Sequence, residues 1–337
     1  MDISIRQQDI LRIIVEEYAY TTLPISSKEI ISKYMPDLSS ATIRNEMAYL
    51  EKIGLLEKTH TSSGRIPSID GYKYYESNIL KPKLSANIKH KLEKIFAQRD
   101  VSIDGVIDQS VSIINESLKL PSVVTTEQNN ELLKRFDLIQ IDSHTALILL
   151  VTSSGAVNKT TIHLNDNKQL DDISICIRIF NDRLVDTAIK DVSQKIGSIK
   201  EIIRSAVHEY EFCIRQIIEK IFDFNKMPPE TKVHGMKWLT TQPEFQNIQQ
   251  LNKALAMLED TNVWKHIAYV QQKTGKTLIT FGGEFGANEL AIASTTISAN
   301  GSERQLSVVG PTRMDYSQIK GLLDFIKTEV EKLSAKK

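Results

Sequence analysis

Between Ser39 and Gly54 lies a run whose residue types and spacing suit contact with the edges of nucleic-acid bases. Ile43, Met47, Leu50 and Ile53 recur at helical spacing and give one apolar stripe. Opposite that stripe stand Ala41, Arg44, Asn45, Ala48 and Lys52, with Tyr49 at the edge. Alanines let a helix approach a surface closely, an arginine can donate two hydrogen bonds to guanine, and an asparagine can pair bidentately with adenine. Arg44 and Asn45 fall in the first turns, beside Ser40, Ala41 and Thr42, where a helix entering the major groove meets base edges. Lys52, a helix length away, is placed for a phosphate. A polar helix face standing alone is ordinarily just solvated, so its meaning depends on what flanks it.

The segment that follows, Lys58-Thr59-His60-Thr61-Ser62-Ser63-Gly64-Arg65, has no acid and is rich in hydroxyls. Thr61, Ser62 and Ser63 can bond phosphate oxygens, His60 and Gly64 belong to the same turn, and Arg65 is expected to hold a phosphate or enter a minor groove. Other chemistries are poorly represented. Gly282 to Gly286 matches neither a dinucleotide fingerprint nor a P-loop, lacking the following lysine and hydroxyl residue. Asp142-Ser143-His144 holds the residue types of a nucleophilic triad, yet adjacency does not orient them, and a turn between strands accounts for all three. Cys176 and Cys213 have no CxxC spacing and no histidine at metal-ligand distance in sequence. No enzymatic turnover, metal or cofactor is expected.

The elements that must position the polar face are legible around it. Ser4 can cap a first helix carrying Ile10, Leu11, Ile14 and Tyr18. After Pro24, Ser26-Ser27-Lys28-Glu29 has capping-box spacing and opens a short helix that Pro36 ends. Ser39 or Ser40 caps the third helix and Gly54 stops it. Leu55 to Lys58 reads as a strand, and Ser63-Gly64 turns into Arg65-Ile66, where Pro67 limits the pairing. Three short helices and a hairpin make a winged helix-turn-helix over residues 1–80, the context in which a polar third helix reads DNA.

Downstream, residues 81–120 read as a linker helix and a packing helix. Phe136 to Ile141, Ala146 to Val151 and Ala156 to Leu164 are β-like, Leu170 to about Lys226 is helical, and strands resume at Thr277 to Phe281, Glu289 to Ser298 and Gln305 to Val309. A helix closes the chain from Ser317. A sheet interrupted by a helical block suggests one domain inserted in another: 121–167 with 227–337 as a discontinuous sheet domain, and 168–226 as the insert. Ile173, Ile175, Ile177, Ile179, Phe180, Leu184 and Ile189 are more apolar residues than a small helical insert readily buries alone, which places part of a dimer interface there.

The chain has 337 residues, 42 Lys plus Arg against 42 Asp plus Glu, and 41% hydrophobic residues, enough for two or three cores. Zero formal charge excludes a histone-like or ribosomal protein, but not a local DNA-binding face. Residues 1–80 hold nine Lys/Arg and eleven Asp/Glu, so any DNA specificity there must come from base contacts more than from bulk charge. The polar N-terminus has no signal-peptide core, and the longest aliphatic run, Ala146 to Val151, is far short of the ~20 residues that span a bilayer. A cytoplasmic, membrane-free location is expected.

Several motifs taken together resemble the HrcA family of heat-inducible transcription repressors. They are Ser39-Ser40-Ala41-Thr42-Ile43-Arg44-Asn45-Glu46-Met47, Leu50-Glu51, His60-Thr61-Ser62-Ser63-Gly64-Arg65-Ile66-Pro67, Gly71-Tyr72-Lys73-Tyr74-Tyr75 and Gly310-Pro311-Thr312-Arg313-Met314-Asp315-Tyr316. The likeness runs along essentially the whole chain. It implies an α+β multi-domain protein with an N-terminal winged helix-turn-helix, a GAF-like α/β domain and an inserted, mainly helical dimerisation domain. It also implies a homodimer on an inverted-repeat operator of double-stranded DNA upstream of chaperone genes, and dependence on a GroEL-type chaperonin. Asp186 stands where the family frequently has glycine, and Gly282-Gly283-Glu284-Phe285-Gly286 departs from a usual glycine-x-glutamate-asparagine. A metabolite-responsive winged-helix regulator is the alternative; release from DNA by a small molecule would favour it.

Overall fold

The structure, a computed structural model, describes residues 3–59, 64–98, 101–126, 131–153, 155, 157–214, 230–299 and 302–335. The chain divides into two compact units, one of residues 1–125, 231–299 and 304–337, the other of 126–230 and 300–303.

The first unit begins with α1 (Ile5–Thr21), α2 (Ser27–Lys33) and α3 (Ser40–Lys52), followed by the antiparallel pair β1 (Leu56–Lys58) and β2 (Arg65–Pro67). Capping sets the helix starts. Ser4 with Gln7 and Ser26 with Glu29 form capping boxes on α1 and α2, and Ser39 accepts the Thr42 N–H at the start of α3. Ile10, Leu11, Ile14, Ile30, Ile43 and Leu50 are completely buried and tie the three helices together. A helix that the sequence reading passed over, α4 (Ile69–Asn78), follows the hairpin, with Ser68 as its cap. Gly71 is obligatory in it, because a Cβ there would sit 2.0 Å from the Leu55 carbonyl oxygen. Then come α5 (Ala86–Phe96), α6 (Ile103–Leu118) and β3 (Ser122–Thr126).

The second unit contains a three-stranded antiparallel sheet, β4 (Leu133–Gln140), β5 (Thr145–Thr152) and β6 (Val157–His163) in that order, and the helices α7 (Asn167–Leu184), α8 (Ile189–Ala206) and α9 (Tyr210–Ile214). Among the described residues these strands pair only with one another, so the boundary expected at 168 falls instead at 126, and the insert carries a sheet of its own. The apolar residues of the insert have a place: Ile173, Ile177, Phe180 and Leu184 of α7 pack on Phe136, Ala146, Ile148, Leu150 and Ile162 in one core, and Ile189 is also buried. Asp186 adopts φ +60°, the left-handed conformation that glycine takes without strain and that Asp tolerates better than most residues.

The chain returns to the first unit with β7 (Glu230–His234), α10 (Ile248–Glu259), α11 (Thr261–Thr274), β8 (Leu278–Phe281), β9 (Leu290–Ala299), β10 (Ser302–Pro311) and α12 (Tyr316–Ala335). Its sheet has the order β7-β3-β10-β9-β8. Alternate residues of β9 face opposite sides: Ala291, Ala293, Ile297 and Ala299 join the core with α6 and α12, while Leu290 and Ile292 join Trp264 and Ile267 of α11. A sheet covered on both faces accounts for strands this apolar. Among the described residues, no helix is long and apolar enough to cross a membrane.

Candidate nucleic-acid interface

On α3 the buried and exposed faces fall as the spacing requires. Ile43, Met47 and Leu50 are buried, whereas Ala41, Arg44, Asn45, Ala48, Tyr49 and Lys52 are exposed. Ser40 and Thr42 are half-buried at the first turn, and Thr42 Oγ1 lies 2.8 Å from Ser39 Oγ. The Arg44 Nε–H donates to Ser27 Oγ on α2 at 3.4 Å, and Ser27 Oγ lies 3.4 Å from Ser40 Oγ. Among the described residues, neither Arg44 nor Lys52 forms an ion pair.

Net negative charge over residues 1–80 stands against DNA binding until the acids are located. Glu46 is turned to α1, where it accepts from Gln7 Nε2 at 2.8 Å and pairs with Arg6 at 3.5 Å. Glu51 is held by Arg65, and Glu17 by Lys33 and Tyr34. The hydrogen bond from Tyr34, together with Lys33, holds the Glu17 carboxyl below the usual carboxylate range against the opposing effect of burial. Thus Glu17, Glu46 and Glu51 are held by partners, while Asp37 and Glu57 stay exposed, and the outward stripe of α3 carries Arg44, Asn45 and Lys52 with no acid among them.

The hairpin gives two of its residues different settings from those expected. Arg65 is only 15% exposed; its Nε donates to Glu51 Oε2 at 2.8 Å and its Nη2 lies 2.7 Å from the same oxygen. Its backbone exchanges hydrogen bonds with Ile25 at 2.9 Å in both directions. The side chain therefore ties β2 to the last turn of α3 instead of projecting outward. Gly64 is buried, and a Cβ there would lie 2.8 Å from Pro24, so its task is close packing. His60, Thr61, Ser62 and Ser63 lie outside the described residues.

A third region, seen in the sequence only as a motif, fixes the winged helix within the first unit. Arg313, 11% exposed, donates from Nε and Nη2 to the two Glu244 carboxylate oxygens at 2.5 and 3.1 Å, from Nη2 to Gln242 at 3.1 Å, and from Nη1 to the Ala19 carbonyl at 3.0 Å. Tyr20 donates to Asp315, and Lys320 pairs with Glu76 at 3.2 Å. The rings of Tyr72, Tyr316 and Phe281 pack together with centroids 5.8 to 6.4 Å apart. A bidentate Arg–carboxylate pair that also satisfies a helix-end carbonyl is a strong orienting contact. Its signal in the sequence was the run Thr312 to Tyr316, whose residues all find partners here.

The triad-like residues form a turn. Asp142 Oδ1 accepts the His144 backbone N–H at 2.7 Å, which lowers the Asp142 pKa, and Ser143 Oγ lies 2.7 Å from His144 Nδ1. The carboxylate is engaged by the His144 backbone N–H and by Thr145, and among the described residues it does not orient the imidazole as a triad would. Among the described residues, no cluster of His, Cys, Asp or Glu could hold a metal ion.

Residues 2–80 match the family model described as "Winged helix-turn-helix transcription repressor, HrcA DNA-binding", and 104–319 match "HrcA protein C terminal domain". The chain belongs to the HrcA family. The heat-inducible transcription repressor HrcA of Mycoplasmoides gallisepticum is 48% identical over 97% of this chain and 94% of its own length; that of Mycoplasma genitalium is 44% identical over 98% and 97%. A crystal structure described as that of a hypothetical protein is 18% identical, with a TM-score of 0.60 over 99% of both chains, and shares the fold. HrcA is a family of transcription repressors and not of enzymes. The HrcA DNA-binding match covers the capped helices and the hairpin that present Arg44, Asn45 and Lys52.

Proposed function

We propose that this chain represses chaperone genes in a heat-inducible manner, by binding an inverted-repeat operator as a homodimer whose active fraction depends on a GroEL-type chaperonin. The observation that carries the reading is the acid-free outward stripe of a capped third helix, inside a winged helix that matches the HrcA DNA-binding model. Arg44 and Asn45 read base edges from the major groove; Ser40, Ala41 and Thr42 approach the backbone at the helix start; Lys52 meets a phosphate. His60, Thr61, Ser62 and Ser63 bond phosphate oxygens from the wing. Arg65 and Gly64 serve the site indirectly, by holding wing and helix in register.

One winged helix cannot read both arms of an inverted repeat, so two chains meet about a two-fold axis. With the helical residues of the insert used in its own core, the outer face of its sheet is the better surface for a second copy. Ile139 and Val157, 46% and 55% exposed, stand there with the half-buried Leu147, Leu149 and Val151. The sheet domain split in sequence by this insert plays the GAF-like part. A discontinuous, multi-domain chain is prone to intermediates that aggregate, which gives a chaperonin its hold on the active population. Fluorescence anisotropy with an inverted repeat from a chaperone-gene promoter tests the reading; equal affinity for a scrambled duplex would refute it.

A further inference from the structure

A cavity of about 320 Å³ opens within the first unit, between the winged helix and the segments around Glu244, Glu289 and Arg313. That volume lies within the range of small-molecule sites. Its walls have a consistent chemistry. Glu57, Glu244 and Glu289 supply three carboxylates against one guanidinium, and Arg313 already spends its donors on Glu244, Gln242 and the Ala19 carbonyl. Ile66, Pro67 and Ile69 give an aliphatic side. Tyr72 contributes the decisive atom. Its residue is 3% exposed, its ring is fixed against Phe281 and Tyr316, and its hydroxyl is buried without a hydrogen-bond partner. Burial, then the adjacent Tyr18, push this hydroxyl well above the usual phenol range, with Arg313 opposing and Glu244 adding; it stays a neutral group able to accept as well as donate.

We propose that this cavity binds a small organic ammonium compound, with Glu57 and Glu289 facing the cationic nitrogen, the Tyr72 hydroxyl accepting one N–H, and the methylene body against Ile66, Pro67 and Ile69. An anion would meet net negative walls. A bare metal ion would lack ligands, since no metal-holding cluster exists among the described residues. An amine satisfies both the unpaired hydroxyl and the excess carboxylate. The walls on the DNA-binding side come from α1, β1, β2 and α4, so occupancy bears on how the winged helix is held; that consequence, unlike the binding itself, rests on the repressor reading.

Isothermal titration of the full chain, dialysed free of amines and without DNA, is run with 1,4-diaminobutane, with spermidine and with magnesium chloride. Saturable binding of an amine at one site per chain is expected, without a matching magnesium isotherm, and about tenfold weaker in Glu57→Gln and in Tyr72→Phe. Glu57 is exposed and Phe preserves the ring cluster, so both variants keep the fold. No saturable amine binding at millimolar concentration overturns the proposal, as does an amine isotherm unchanged in both variants or equalled by magnesium. With DNA absent, failure here leaves operator recognition standing, and failure at the operator leaves the amine site standing.

Discussion

Arg65 distinguishes two kinds of basic residue at a DNA-binding surface, one that touches phosphate and one that shapes the protein. Its guanidinium makes two short contacts to a single Glu51 oxygen, at 2.7 and 2.8 Å, with side-chain exposures of 15% and 34%. Hydrogen bonds to charged groups contribute ~1.5–3 kcal/mol when buried. Partial exposure of Glu51 and salt screening bring the expected contribution down to about 1 kcal/mol. If all of it goes into holding the wing against α3, Arg65→Ala weakens operator binding roughly fivefold. Glu51→Gln should weaken binding to a similar extent, although it removes an acid near DNA, and the double variant should be little worse than either single one. The assay is anisotropy over a range of salt concentrations. The slope of log K against log salt should stay at the wild-type value in both single variants. A slope reduced by about one unit in Arg65→Ala, together with Glu51→Gln binding as tightly as wild type or tighter, would show a phosphate contact and refute the strut.

Arg44→Ala should cost ~1–3 kcal/mol and relax preference at one base position, whereas Lys52→Ala should weaken all sequences alike and lower the salt slope by about one unit; competition with single-base operator variants separates the two. Replacing Ile139 and Val157 by lysine should shift the dimer dissociation constant by tenfold or more, about 1.4 kcal/mol, with the circular dichroism spectrum unchanged; unaltered sedimentation would move the interface off the outer sheet face. Warming should reduce the DNA-competent fraction, and added chaperonin should restore it without altering affinity per active dimer. A fully active population whose affinity falls reversibly with temperature would point to a conformational thermosensor.

Local signals in the sequence were sufficient wherever they agreed with the tertiary structure. Ser4, Ser26 and Ser39 act as caps, the α3 stripe faces inward at Ile43, Met47 and Leu50, and β4 to β6 occupy the expected runs. Strand partnership was not legible, because an apolar run such as Leu147 to Val151 suits any sheet; only pairing reveals that β4 to β6 leave the larger sheet to form one of their own. The helix α4 has its cap in Ser68 and helical spacing in Tyr72 and Tyr75, but Gly71 in its first turn and Pro67 just ahead weaken the helical signal. Charge partners were equally hidden. Glu51 and Arg65 are 14 positions apart, and Arg313 meets Ala19 across 294. Thus the sequence does not show that the basic residue Arg65 of the wing has a carboxylate partner in Glu51.

The central claim is that the α3 stripe recognises an inverted repeat at a chaperone-gene promoter. The most direct measurement titrates active sites of the purified full-length protein against that duplex, against one with a single arm scrambled, and against one with both scrambled, with and without chaperonin. Tight binding of two chains per intact repeat is expected, with a large loss on scrambling one arm, a further loss on scrambling both, and more active dimer but the same affinity when chaperonin is present. Binding that ignores the arms and survives Arg44→Ala and Asn45→Ala together would contradict the account.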